Sequence, residues 1–271
     1  MATFGVLLSN RSFFPDHLVL TARKKLLSAL KDWGHEVITL STDDTFMGET
    51  MTYEEARKCA ALFRERADEL DGIVICLPNF GEETGIADAI KWSKCDVPIL
   101  IQACDDDFDK LQLENRRDAF CGKLSLCNNL YQYGIKYTLT ARHTCPVDGA
   151  EFKADVERFA KVCAVVKAMK TARIAQIGAR VMPFRTVRYS EKLLQKYGIT
   201  VETEDFSETN VMKILFTEKA TEKEINVQKQ LKNTFNKVSK HFKSNSGFKH
   251  EIDFDDLEAV IIDTIEKYIS T

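Results

Sequence analysis

The chain has 271 residues, a net charge of -3, a pI near 6.0 and 29% charged side chains, a balance that gives no global attraction to nucleic acid or to an anionic membrane. The length suits two moderate domains, each able to bury its own core. No apolar run reaches the roughly 18 residues needed to span a bilayer, and residues 1 to 20 lack a basic region followed by a long apolar core, so a soluble, cytoplasmic protein is expected.

Strand-like and helix-like runs alternate from the start, as expected for a parallel sheet covered by helices. The first strand, Thr3 to Ser9, breaks off at a polar tip holding Asn10 and Arg11. Leu18, Ala22, Leu26, Leu30 and Trp33 then share one helical face, which Gly34 ends in the manner of a C-terminal cap. A second strand, EVITL, starts at Glu36; a polar loop through Asp43, Asp44 and Gly48 leads to a helix striped by Ala56, Cys59, Phe63, Ala67 and Leu70. Asp71-Gly72 closes that helix before strand three, IVICLP. The following loop, Asn79-Phe80-Gly81-Glu82-Glu83-Thr84-Gly85, has glycines for tight backbone geometry and an Asn and a Phe able to face a ligand. Strand four, VPILIQ, begins at Val97 and runs into an aspartate-rich loop; a helix is expected from Glu114 to Tyr133, a strand YTLT from Tyr137, and a helix burying Phe152, Val156, Phe159, Cys163 and Val166.

Ala172 to Gly178, ARIAQIG, opens the same strand, loop, helix order again, which places a domain boundary near Thr171. The division is therefore 1–171 and 172–271, the second domain being either whole or cut short. Its helix is expected over Val187 to Tyr197, ended by Gly198, with a strand ITVETED after it and a last helix carrying Leu257, Ile261, Ile265 and Tyr268. The expected fold class is α/β: a doubly wound parallel sheet of flavodoxin-like or Rossmann-like kind, then a smaller α/β domain.

Ligands of open α/β sheets bind in the crevice beyond the carboxyl ends of the strands, so Arg11 is placed to hydrogen-bond a polyol or an anion there. The competing reading is an ordinary ion pair with a local carboxylate. Asp105, Asp107 and Asp109 start like a calcium loop, but Lys110 and Arg116 stand where glycine and a bidentate glutamate are required, which refutes it. His143 is either a proton shuttle, an interface residue or neither. Arg180, Arg185 and Arg188 surround the expected helix start after ARIAQIG, where they either favour a phosphate or carboxylate or pair with acids such as Glu191. No Gly-x-Gly-x-x-Gly or Walker loop follows any strand. The acid-free stretch from Ile225 to His250, with Lys229, Lys232, Lys237, Lys240, Lys243 and Lys249, lacks interleaved aromatics and reads as a solvated face. Cys59, Cys76 and Cys163 fall in apolar runs as reduced core residues, and neither a Cys-x-x-Cys pair nor a four-ligand zinc pattern occurs. Asn10-Arg11-Ser12 fits a glycosylation pattern that stays unmodified without secretion.

The segments LLSNRSFFPDH, LPNFGEETGIADAI, IQACDDD, ENRRDAFCGKLSLCNNLYQYGI and IGARVMPFRTVRYSEKLL together resemble the amino-terminal portion of the L-fucose/L-arabinose isomerase family, over about residues 4 to 207. The resemblance implies aldose–ketose isomerisation through a cis-enediol, with a divalent ion, usually manganese, polarising the sugar oxygens while carboxylates move the proton. In that family two acids and a histidine in the carboxyl-terminal half hold the metal, and this chain is expected to end before that half and to bind no cofactor alone. The implied role is to form oligomer contacts and to extend strand-end loops toward an active site that another chain completes. The implied ligand is a monosaccharide of the pentose or deoxyhexose class, and the implied partner is a second copy or a complementary catalytic chain. Carried onto this sequence, Arg11 matches a polar residue contacting sugar hydroxyls, Phe80 an aromatic walling the pocket, and Met182 a methionine lining the substrate site. Asn79 and Arg180 are added from chemistry and position. Two other classes stand beside this one: a carbohydrate-binding or regulatory module without chemistry, and a scaffold that keeps only the oligomer-forming surface.

Overall fold

The structure is a computed structural model, described for residues 1–178, 180 and 182–204. In chain order the first unit contains β1 (Thr3–Leu8), α1 (His17–Asp32), β2 (Glu36–Ile38), a 3-10 turn (Phe46–Gly48), α2 (Tyr53–Glu65), β3 (Gly72–Leu77), α3 (Glu83–Ser93), β4 (Ile99–Ala103), α4 (Ala119–Gln132), β5 (Thr138–Leu139) and α5 (Ala150–Met169). The strands form one five-stranded sheet in the order β2-β1-β3-β4-β5, and every pairing is parallel. This is the doubly wound, flavodoxin-like architecture expected from the alternating runs.

All six residues of β3 are buried, as an unbroken apolar strand in the middle of a two-sided parallel sheet must be. Its side chains alternate between two cores. Ile73, Ile75 and Leu77 face α2, α3 and α4 through Phe63, Ile86, Ile90 and Leu126. Val74 and Cys76 join Leu26 and Leu30 of α1 and Phe152, Val156 and Phe159 of α5. The period of two along the strand thus fixes which helices cover which face. At the start of α2, Thr52 Oγ1 accepts from Glu55 N at 3.3 Å while the Glu55 carboxylate accepts from Thr52 N at 2.9 Å, a reciprocal cap that satisfies two of the free N–H groups. Gly34 ends α1 at φ 83°, donating to Lys31 O while His35 N returns to Leu30 O.

Several elements are shorter than the apolar runs suggest. β2 keeps only Glu36–Ile38 of EVITL, and β5 only two residues of YTLT, both lying at the sheet edges. β4 starts at Ile99 rather than Val97, since Pro98 has no N–H for the ladder and only its carbonyl pairs, with Ile73 N. α4 starts at Ala119 rather than Glu114, because Asp118 N is taken by the Asn79 side chain and the preceding residues turn.

The described backbone falls into two compact units, one of Met1–Ala172 with Leu193–Ile199 and one of Arg173–Lys192 with Thr200–Glu204. In the second unit β6 (Arg173–Ile177) pairs in parallel with β7 (Thr200–Glu204). The expected helix over Val187 to Tyr197 is reduced to α6 (Glu191–Lys196), six residues preceded by Ser190, a residue type that favours caps over helix interiors. Arg180, Arg185 and Arg188 therefore precede the helix instead of lying in its first turn. The expectations for Leu257, Ile261, Ile265 and Tyr268 and for the lysines of 225–250 lie outside the described residues.

Candidate functional site

The winding of the sheet reverses between β1 and β3, so the loops leaving these two strands part and leave a crevice at their carboxyl ends. Ser9, fully buried, ties three segments together there: its hydroxyl donates to Thr50 O at 2.7 Å and accepts from Glu82 N at 3.0 Å, while its own N–H donates to Cys76 O at 3.4 Å. Arg11 emerges just beyond. Its guanidinium carbon stands 4.2 Å from the centre of the Phe80 ring, its Nε 3.4 Å from a Glu82 carboxylate oxygen and its Nη2 3.5 Å from Glu83. Phe80 in turn stacks on Phe14 with centroids 5.8 Å apart and planes 10° from parallel. Glu83 is steadied from α4 by the Ser125 hydroxyl at 2.7 Å. Arg11 thus sits at the crevice and is paired with carboxylates, the ion-pair arrangement of the competing reading.

Asn79 is fully buried and all of its side-chain polarity is used inside the loops. Its Oδ1 accepts from Phe80 N at 2.9 Å and Asp118 N at 2.6 Å, and its Nδ2 donates to Arg116 O at 3.1 Å. It therefore shapes the crevice wall and holds Phe80 in place. Arg117 adds a second tie, its guanidinium bonding to Pro78 O. Arg180 and Met182 belong to the second unit, where Arg180 lies 5.4 Å from the Tyr189 ring centre and Met182 is 84% exposed.

Two charged groups near these loops carried no signal as site residues. Glu49, between β2 and α2, is fully buried with both carboxylate oxygens lacking a close hydrogen-bond partner, and the Oδ1 of buried Asn10 is likewise unpartnered. Desolvation first, then the charges of Glu55 and Asp16, push the Glu49 carboxyl up to about 7, with the Asn10 N–H opposing the rise. Lys123 of α4 is buried with its ammonium on Thr140 Oγ1 at 2.7 Å and His143 O at 2.9 Å. Its place was readable: Ala119, Lys123, Leu126 and Leu130 fall on one helical stripe. Glu49 lies in an irregular loop where no periodicity marks burial.

A family model for the N-terminal domain of fucose/sulfoquinovose isomerases matches residues 5–170. The chain belongs to that family. Comparison with curated proteins finds no match. The matched span covers all five helices of the first unit, its five-stranded sheet but for Thr3 and Phe4 at the start of β1, and the crevice loops. For a fucose/sulfoquinovose isomerase domain the fit to a metal has to be tested on the donors present. Among the described residues no group of three or more His, Cys, Asp and Glu is placed to hold one. Asp105, Asp107 and His143 are not drawn together: Asp107 pairs with Lys110 at 3.0 Å, and the His143 ring meets Phe120 edge-on at 5.2 Å. These side chains do not fit a catalytic ion. Among the described residues no helix is long and apolar enough to cross a membrane.

Proposed function

We propose that this chain is the sugar-binding, amino-terminal portion of an aldose–ketose isomerase of the fucose type, whose strand-end loops present a monosaccharide to an active site that another chain completes. The observation that carries this reading is Arg11 laid against Phe80 at the switch-point crevice, beside Glu82 and Glu83. A guanidinium supplies fixed donors for sugar hydroxyls, the two carboxylates supply acceptors, and the Phe14–Phe80 stack offers an apolar wall to the C–H face of a pyranose or furanose ring. Asn79 positions the wall; Arg180 and Met182, in the second unit, are assigned as sugar contacts from their own loop, separately from this crevice. The ligand is of the pentose or deoxyhexose class, or the sulfonated hexose for which the family is also named. The partner is a further copy of the chain or a complementary catalytic chain, and manganese or a similar divalent ion belongs to that partner's residues. The setting is cytoplasmic.

The role assigned to this chain is to bind, orient and shield the sugar. Proton transfer is assigned to the completing residues. A second reading, a carbohydrate-binding or scaffold protein without turnover, is favoured by the two carboxylates that already hold Arg11.

Calorimetric titration with L-fucose, L-arabinose and sulfoquinovose, paired with a turnover assay in manganese, separates the two. The first reading expects binding by the chain alone and turnover only when the carboxyl-terminal half of a full-length relative is added. Binding that never leads to turnover, with an active full-length control, supports the second. Arg11→Ala should weaken binding by about ten-fold or more, the loss expected for a charged hydrogen bond. Unchanged binding in a folded variant would move the sugar elsewhere.

A further inference from the structure

On the outer surface of the first unit, α2 and α3 enclose an open groove of about 810 Å³ lined by Tyr53, Arg57, Arg64, Lys91, Trp92 and Lys94, among others. Counting Lys58 as well, five cations face one carboxylate, Glu54. Its floor is aromatic, with Tyr53 and Trp92 meeting edge-on at 5.0 Å and Tyr53 57% exposed. Some of the cations have local duties: Lys58 reaches Asp44 O at 2.6 Å, Arg64 reaches Trp92 O at 3.1 Å, and Lys91 stands 3.8 Å from Asp88. None of these contacts fills the groove. An aromatic trough ringed with positive charge matches a partner that is acidic and apolar at once.

The same unit carries a segment with that chemistry. The connection from β4 to α4 spans residues 104–118 without regular structure, a length at which loops are usually functional. It reads Asp105, Asp106, Asp107, Phe108, Asp109, and Phe108 is 86% exposed, with Leu111 at 54% and Leu113 at 78%. The loop is nonetheless shaped, since Asp106 accepts from Arg117 N at 2.9 Å and Asp107 from Asp109 N at 3.2 Å. Phe108 is therefore offered to solvent on an organised acidic turn, an arrangement that leaves a large ring in water unless something covers it.

We propose that the acidic loop of one copy of this chain seats in the α2–α3 groove of a second copy, with Phe108 against Tyr53 and Trp92 and the loop aspartates facing Arg57 and Lys94. The two surfaces are different patches of one chain, so the contact is head-to-tail and closes into a ring or continues as a chain of copies. It does not depend on sugar binding or turnover.

The test uses the full 271-residue chain in sedimentation velocity at low and high salt. The parent should self-associate and dissociate as salt rises, because the pairing is between exposed opposite charges. A groove variant, Arg57→Gln with Lys94→Gln, and a loop variant, Phe108→Ser with Asp109→Asn, should each associate at least about ten-fold more weakly, a change of roughly 1.4 kcal/mol. All four side chains are on the surface, and an unchanged circular dichroism spectrum confirms the fold. An equal mixture of the two variants retains one intact groove and one intact loop, so it should form complexes limited to two chains. That mixed dimer is the outcome specific to a groove-to-loop contact. A monomeric parent, association that both variants keep, or a mixture that stays monomeric would each overturn the proposal. A monomeric parent that binds polyglutamate through Arg57 and Lys94 would also overturn it, giving the groove to a different acidic partner.

Discussion

The Glu49 carboxyl, raised by burial from 4.5 to about 7, stays protonated in the folded chain over a range where the unfolded chain has lost that proton. The folded state therefore binds more protons between these values, and stability is fully present at the acid end and falls as pH rises through about 7. Glu49→Gln removes the charge and keeps the shape, so urea unfolding at pH 5, 6, 7 and 8 should show a flatter profile and a variant more stable than the parent at pH 8; an unchanged slope would mean that the carboxyl is solvated. Lys123→Met makes a contrasting case. It leaves His143 O and Thr140 Oγ1 without their ammonium donor in a buried setting, and a loss of about 2 to 3 kcal/mol is expected in the same assay. The two residues also mark what could be read in advance. Lys123 lies on an apolar stripe and was open to recognition, whereas the burial of Glu49 comes from the backbone bond of Thr50 N to Leu8 O, a long-range contact with no local pattern. Arg11 was legible because a strand ended at it, but its partners Glu82 and Glu83 came from the approach of another strand's loop.

At the scale of elements, α4 and the loop after β3 are in direct backbone contact. A Cβ on Gly122 would lie 2.8 Å from Phe80 Cα and 3.1 Å from Gly81 N, and backbone atoms cannot yield as a flexible side chain does. Gly122→Ala should cost about 1 to 3 kcal/mol by forcing the helix and loop apart. Because Phe80 is the atom group displaced, sugar binding should weaken in that variant even though the substitution touches no sugar. Thermal denaturation and the calorimetric titration together check both halves of the expectation. Thr52→Ala, which removes the reciprocal cap of α2, should cost about 1 kcal/mol in the same thermal assay. The existence of these helices was written in their apolar stripes; their limits were not. β2, β4, β5 and α6 all proved shorter than their sequence runs, because pairing partners, proline and capping residues end an element before its hydrophobicity does.

For the molecule as a whole, alternating runs and the rule that parallel connections are made through helices made the doubly wound class of the first unit accessible from the sequence, while the particular order β2-β1-β3-β4-β5 came only with the structure. The packing adds a directly measurable property. All eight cysteines are free, five of them buried, two half-buried and only Cys121 exposed. A thiol reagent should modify Cys121 first under native conditions, more slowly than a free exposed thiol because neighbouring Asp118 raises it, and all eight cysteines in denaturant. Rapid native reaction of several thiols would show that the two cores open readily. The bracket made by Asn79 has a kinetic meaning beyond its geometry. One amide side chain receives the N–H groups of Phe80 and Asp118 and gives its own to Arg116 O, so neither loop can loosen without breaking the bonds of the other. In deuterated water the Phe80 and Asp118 amides should therefore exchange at a common rate set by one shared opening, and Asn79→Ala should release both together. The lip of the crevice is a single moving part.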